Sequence, residues 1–230
     1  MSSDPKILGL ALLGGLIPSI FWLWFWLRED KEDPEPKIIL TISFIMGMIA
    51  VIFVLPIQEF LQTHITSHLW QVISFASVEE IMKLLTIFVI LFNTRYINKP
   101  IDWAIYIITA ALGFAAIENI LFLIKPLSLN QSINGLITSQ LRFLGSTLLH
   151  TVSSGLIGIF LGLSFYLSKN YKKIYLFFGI IFAIALHSTF NFFIMNISGK
   201  EFLKVFAFLW VTTIINLLLF EKLRRMSGEN

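Results

Sequence analysis

Residues 74–92 read SFASVEEIMKLLTIFVILF, a run that would dissolve in the acyl chains of a bilayer apart from Glu79, Glu80 and Lys83. A charged side chain at the centre of a membrane helix costs about 2.5–3.5 kcal/mol on insertion scales, so these groups need partners, a water-filled cavity or a chemical role. On a helix, Lys83 lies at i+4 from Glu79 and i+3 from Glu80, so either glutamate can pair with it while the other stays available. A purely structural ion pair is the alternative, but it accounts for only one of the two glutamates.

The rest of the chain is also composed for a membrane. Its 230 residues are 57% hydrophobic and only 13% charged, against roughly 25% charged in an ordinary soluble domain. A membrane-spanning helix needs about 20 apolar residues. The sequence therefore predicts an all-α, polytopic bundle of about seven transmembrane helices, forming one domain over residues 1–230. The apolar runs are 7–27, 38–57, 67–92, 101–124, 138–167, 173–196 and 202–220.

The distribution of Lys and Arg predicts the orientation of this bundle, because cytoplasmic loops of membrane proteins are enriched in both. One side carries only Lys6, Lys125, Lys200 and Lys204. We therefore expect the N-terminus outside and the C-terminus in the cytoplasm. A Cys-free, compact chain rich in Ile, Phe, Lys and Asn also indicates a prokaryotic, multi-pass cell-membrane protein. The basic residues of the predicted cytoplasmic side are Arg28, Lys31, Lys37, Arg95, Lys99, Lys169, Lys172, Lys173, Lys222, Arg224 and Arg225.

Several classes of function find no support in the sequence. There is no cysteine, which excludes a disulfide framework, a thiol nucleophile and a thiolate metal site. No glycine-rich phosphate loop or HExxH pattern occurs. The basic residues are spread over short loops, so we expect no nucleic-acid partner. The expected surroundings are the lipid bilayer.

Further ionisable and polar groups lie inside three other apolar runs. Glu118 follows a stretch of small residues, TAALGFAA, that would let helix backbones approach closely. His150 lies in the middle of the fifth run, and His187 shares a helix face with Asn191 in the sixth. Taken singly, each has an ordinary explanation as a buried hydrogen-bonded group. Together with Glu79 and Glu80 they lie at a similar depth in four consecutive helices, in the predicted outer half of the bilayer, and this predicts one shared site.

Two glutamates and two histidines form a ligand set that suits Zn²⁺ in a hydrolytic site, with water as a further ligand. The predicted metal ligands are Glu80, Glu118, His150 and His187. Without a metal, a buried glutamate could itself activate water as general base, while a His or Asn donor faces the developing oxyanion. Both routes lead to hydrolysis of an amide bond. The predicted catalytic residues are Glu79, Glu80, Glu118, His150, His187 and Asn191.

Three further residues are predicted to support the site. Lys83 would tune the glutamates, and Asn119 is a second candidate for stabilising the oxyanion. Arg142, near the outer end of the fifth run, could bind substrate or extend to the outer headgroups, as long basic side chains do. Spacing alone leaves open which of Glu79 and Glu80 faces the centre of the site.

These residues carry a resemblance to a known family. EExxK at Glu79–Lys83, FxxxEN at Phe114–Asn119, Arg142 followed by His150, and HxxxN at His187–Asn191 together resemble the PrsW family of intramembrane proteases. The acidic loop ending DPEP at 33–36 is also similar to that family. PrsW proteins are in turn similar to the broader group of CAAX prenyl proteases and bacteriocin-processing enzymes, in which FxxxH usually stands where this chain has FxxxE.

The resemblance implies an endopeptidase with a catalytic core at about 67–196. Its substrate would be a membrane-anchored protein, such as an anti-sigma factor, cut near the extracytoplasmic surface. Two alternatives stay open: a proton-coupled transporter that uses the buried Glu and His residues as a relay, and a non-catalytic relative comparable to immunity proteins. The chain shows neither the repeated halves nor the paired Gly/Pro-broken helices of many transporters.

Overall fold

The computed structural model of the chain describes residues 4–28, 34–91, 96–128, 133–196 and 202–228, without the side chains of 125–126, 128, 133–144, 196 and 202. The described residues form seven α-helices and no strand, as the all-α prediction expected. In chain order they are α1 (Pro5–Arg28), α2 (Lys37–His64), α3 (His68–Leu91), α4 (Pro100–Ser128), α5 (Ile133–Leu163), α6 (Lys169–Asn196) and α7 (Phe202–Gly228).

Six of these helices are long and apolar enough to cross a membrane, and α3 is the exception. It has 24 residues, as many as α1, but every 18-residue stretch of it contains Glu79, Glu80 and Lys83. All three side chains are buried inside the bundle. The polytopic helical bundle is thus confirmed, and the charges of α3 face other helices rather than lipid.

Helices α4 and α5 form the interior of the bundle. Residues are buried over 67% of the apolar stretch of α4 and 78% of that of α5, against 17% for α1. Helix α4 packs against α1, α2 and α5, and α6 packs against α5 and α3. The residues around α4 and α5 are therefore held between neighbouring helices, which is the position from which polar side chains of four helices can meet.

Glycines allow α2 and α4 to approach closely. A Cβ at Gly47 would overlap the backbone oxygen of Ala110, and a Cβ at Gly113 would overlap that of Phe44. The two contacts are reciprocal, each helix offering one glycine to the backbone of the other. Small residues at such crossings are how membrane helices pack without a hydrophobic driving force between them.

Two predicted boundaries differ from the structure by more than the fraying of a helix end. Helix α2 was expected to end at 57 but continues to His64, and α7 was expected to end at 220 but continues to Gly228. The sequence predicts the first extension as part of a connection and the second as part of the C-terminal tail, because both are polar. Their residues are nevertheless good helix formers, and Glu221 pairs with Arg224 and Arg225 one turn away. Loss of hydrophobicity marks the end of an apolar run, not the end of a helix.

Candidate active site

The structure brings the ionisable residues of four helices together. Helix α3 supplies Glu79, Glu80 and Lys83, α4 supplies Glu118, α5 supplies His150 and α6 supplies His187. Glu118 has 21% of its side chain exposed, whereas the others are at most 5% exposed. The rings of His150 and His187 lie 5.0 Å apart, centroid to centroid, in an edge-to-face arrangement. The convergence predicted from helix depth is therefore present in the fold.

Glu80 is fully enclosed by hydrogen-bond donors. Its Oε1 lies 2.8 Å from Nζ of Lys83, 2.7 Å from Nδ1 of His187 and 3.0 Å from the hydroxyl of Ser153. Its Oε2 accepts a hydrogen bond of 2.6 Å from Ser154. Donors surround both oxygens, so a buried carboxylate is compensated as burial requires. Glu80 is thus a carboxylate held in place.

Lys83 joins Glu80 to the histidine on α5. Its ammonium group lies 2.8 Å from Nδ1 of His150 as well as from Glu80, and 4.6 Å from the centre of the Phe114 ring. The sequence allowed Lys83 to pair with either glutamate, and the structure selects the i+3 partner. The glutamate left available is Glu79.

Glu79 has a different environment although it is the next residue. Its Oε1 accepts a hydrogen bond of 2.7 Å from the side-chain amide of Gln58 on α2. Its Oε2 is buried and has no hydrogen-bond partner among the described residues. That oxygen lies 3.5 Å from Nε2 of His187 and 3.9 Å from Nδ1 of His150. Buried polar atoms without a partner are rare, and one beside two imidazoles indicates a place for a ligand.

A carboxylate contacts each imidazole at the ring nitrogen that faces away from Oε2 of Glu79. Nδ1 of His187 lies 2.7 Å from Glu80, and Nε2 of His150 lies 2.5 Å from Glu118. Since an ionised carboxylate only accepts hydrogen bonds, these nitrogens donate, and the opposite nitrogen of each ring presents a lone pair. Those opposite nitrogens are the ones near Oε2 of Glu79. Metal-binding histidines are oriented in this way by carboxylates in many proteins.

The site fits a metal ion by its donors. One ligand atom from each of Glu79, His150 and His187 lies within 4.8 Å of the other two. A carboxylate and two imidazoles, with one oxygen lacking a partner, are a donor set typical of catalytic zinc. The predicted ligands also include His150 and His187, but with Glu80 and Glu118 in place of Glu79. Glu80 and Glu118 contact the other nitrogen of each ring. Lys83 already donates to Nδ1 of His150, so a metal bound at that nitrogen would require Lys83 to release it.

The other predicted residues lie around this centre. Asn119 is buried and donates a hydrogen bond of 2.8 Å to Thr147 on α5. Asn191 lies one turn after His187 on α6 and is partly exposed. The side chain of Arg142 lies outside the described residues, so its predicted role stays a prediction.

Sequence reasoning missed three residues of the site. Ser153 and Ser154 follow His150 by three and four positions, so helix periodicity places them on the face of that histidine, and this signal was available. Helix periodicity gives no such indication for Gln58, because the sequence predicts its segment as a connection between helices. A residue that reaches the site from the end of an extended helix becomes visible only when the helix boundary is known.

Comparison with known proteins identifies the family of the chain. A family model described as PrsW family intramembrane metalloprotease matches residues 35–219. Protease PrsW of Clostridioides difficile (strain 630) is 28% identical over 199 residues, covering 82% of this chain and 80% of the relative. Protease PrsW of Shouchella clausii (strain KSM-K16) is 27% identical over 220 residues, covering 94% and 96%. That of Bacillus subtilis (strain 168) is 24% identical over 201 residues, covering 85% and 88%.

No solved structure shows a significant match to the chain. The relatives are bacterial and six apolar helices can span a bilayer, so the chain is a multi-pass membrane protein of prokaryotic type. The matched region runs from the end of the DPEP loop into α7 and contains every residue of the Glu/His group. By its sequence match and by its buried Glu/His site, the chain belongs to the PrsW family of intramembrane metalloproteases.

Proposed function

We propose that the buried group around Oε2 of Glu79 is where this protease hydrolyses a peptide bond of a membrane-anchored protein. The observation that carries the proposal is that Oε2 has no hydrogen-bond partner among the described residues and lies between two histidines that are each oriented by another carboxylate. A water molecule that gives its proton to Oε2 becomes a nucleophile for the scissile carbonyl. The proton held at Oε2 then goes to the amide nitrogen that leaves.

The surrounding residues have separate tasks in this proposal. Glu80 and Glu118 hold the rings of His187 and His150, and Lys83 balances the charge of Glu80. Asn191, on the same helix face as His187, is the proposed donor to the oxyanion that forms on the carbonyl, and Asn119 keeps α4 against α5. Preorganised donors of this kind contribute about 10²–10³ in rate.

We propose zinc as the metal of the site, supported by the family's description as metalloproteases and by the Glu79, His150 and His187 donors. When bound, zinc supplies a polarised water and a Lewis acid for the carbonyl. The carboxylate of Glu79 would then help to hold the ion together with His150 and His187 instead of acting as the base. The zinc content of Glu79→Gln separates the two roles of this carboxylate, because loss of a ligand removes zinc and loss of a base leaves it.

The substrate we propose is a single-span regulatory protein of the anti-sigma-factor type, as the family resemblance implies. The excess of Lys and Arg on one side supports an N-terminus outside, and we propose on that basis that the site lies in the outer half of the bilayer. Transport finds less support, since no relative found is a transporter. A non-catalytic relative would have no need to bury all of these ionisable side chains.

The test uses purified protein reconstituted in liposomes with a single-span substrate tagged at both ends. Wild type is expected to release two fragments, whose ends locate the scissile bond by mass spectrometry. His187→Ala should reduce cleavage at least about 10³-fold, because it removes a group that touches the reacting water. His64→Ala is the matched control, since His64 is exposed at the end of α2 and stacks on Phe60. Equal cleavage by wild type and His187→Ala would refute the proposed site.

A further inference from the structure

Gln58 contacts the reactive glutamate from outside the helices that carry the family motifs. It lies on α2, two residues after Pro56, in the extension that the sequence did not predict. Its Nε2 donates to Oε1 of Glu79 at 2.7 Å, and the side chain is partly buried. The residues on either side of Gln58 in the chain, Ile57 and Glu59, are exposed. The side chain of Gln58 therefore points into the bundle and contacts one oxygen of Glu79.

This contact makes the two oxygens of Glu79 unequal. Oε1 accepts a hydrogen bond from the side-chain amide of Gln58, so this oxygen already has a partner. Oε2 has no partner among the described residues and faces His150 and His187. Glu79 is therefore open to a further ligand at Oε2, on the side of the two histidines. The same hydrogen bond fixes the rotation of the carboxylate about its last torsion, which is otherwise broad.

We propose that Gln58 is a positioning residue of this protease, one that keeps Oε2 of Glu79 directed at the reacting water or metal. The inference rests on the proposed function of Glu79. Gln58 does not touch the reacting atoms and acts only through Glu79. Misplacing a catalytic group by about 1 Å can cost roughly 10²-fold in rate, so the loss of one orienting contact has a measurable effect.

The experiment compares three variants in the liposome cleavage assay. Gln58→Met keeps the size of the side chain and removes the donor, and we expect kcat to fall about 10- to 100-fold with KM within about twofold. Gln58→His keeps an N–H at the same number of bonds from Cβ, and should retain activity within about threefold of wild type. Gln62→Met is the matched control, because Gln62 lies one turn further along α2 with an exposed side chain.

The outcomes separate positioning from a structural role. A purely structural contribution would lower the thermal unfolding temperature and the yield of folded protein while leaving kcat of the folded fraction unchanged. The inference is overturned if Gln58→Met cleaves with the kcat of wild type, or if Gln58→Met and Gln58→His lose activity equally. Absence of cleavage by wild type would instead contradict the proposed function, so the two failures are distinguishable.

Discussion

Glu79 and Glu80 are adjacent in sequence and equally enclosed by the bundle, yet their surroundings differ in almost every respect. Donors occupy both oxygens of Glu80, from Lys83, His187 and two serines. Glu79 has one oxygen bound by Gln58 and one without a partner among the described residues. Helix geometry explains the difference, because consecutive residues diverge by about 100° and so meet different neighbours.

The comparison shows how one motif can serve both stability and chemistry. A buried carboxylate that accepts hydrogen bonds at both oxygens contributes to the framework, since binding a proton or a ligand would disturb those contacts. A buried carboxylate with an unused oxygen is the group that can react. We propose on this basis that Glu80 belongs to the framework and that Glu79 is the reactive group, a choice that the spacing of EExxK leaves open.

The largest effect on stability is expected from removing the cation that balances Glu80. Lys83→Met leaves a buried carboxylate without its ion pair and should lower the free energy of unfolding by about 3–5 kcal/mol. Lys173→Met, at an exposed position of α6, should change it little. Equilibrium unfolding in mixed micelles measures both. The double variant Glu80→Gln/Lys83→Met should be less destabilised than the sum of the two single variants, and simple additivity would show that the pair is not coupled.

A smaller effect is expected from a single donor to Glu80. Ser154→Ala removes the hydrogen bond to Oε2 and should cost about 1.5–3 kcal/mol, the range for hydrogen bonds to charged groups. Ser188→Ala serves as control, because the hydroxyl of Ser188 donates to the carbonyl of Ile184 in its own helix. Its loss should cost clearly less in the same unfolding measurement. Equal losses for the two serines would contradict a charged, enclosed Glu80.

The smallest effect on the rate of cleavage is expected from a substitution at a helix contact away from the site. Gly47→Ala should destabilise the protein by about 1–3 kcal/mol, because the added Cβ overlaps the backbone of Ala110. The kcat of the folded fraction should stay within about twofold of wild type, since Gly47 lies at the α2–α4 contact. Gly9→Ala, where no atom lies within 4 Å of the added Cβ, is the control. A large fall in kcat for Gly47→Ala would show that this helix contact also positions the site.

Much of this arrangement could be predicted from sequence, for identifiable reasons. Apolar runs gave the seven helices, because hydrophobicity is the dominant requirement of a bilayer. Buried Glu and His residues at one depth gave the site, because ionisable groups in a membrane need partners. Gln58 was beyond this reasoning, since a polar segment was taken for a loop. The division of labour between Glu79 and Glu80 was also beyond it, since it depends on side chains of α2, α5 and α6 that only the packed bundle brings near.

The most direct test of the reactive position compares Glu79→Gln, Glu80→Gln and Glu59→Gln in single-turnover cleavage of the same single-span substrate. Glu59 is exposed on α2 and supplies the matched control. We expect Glu79→Gln to remain folded, with an unfolding temperature close to that of wild type. Its single-turnover rate of cleavage should fall at least about 10³-fold. Cleavage by folded Glu79→Gln within about threefold of the wild-type rate would contradict the assignment of Oε2 as the reactive oxygen.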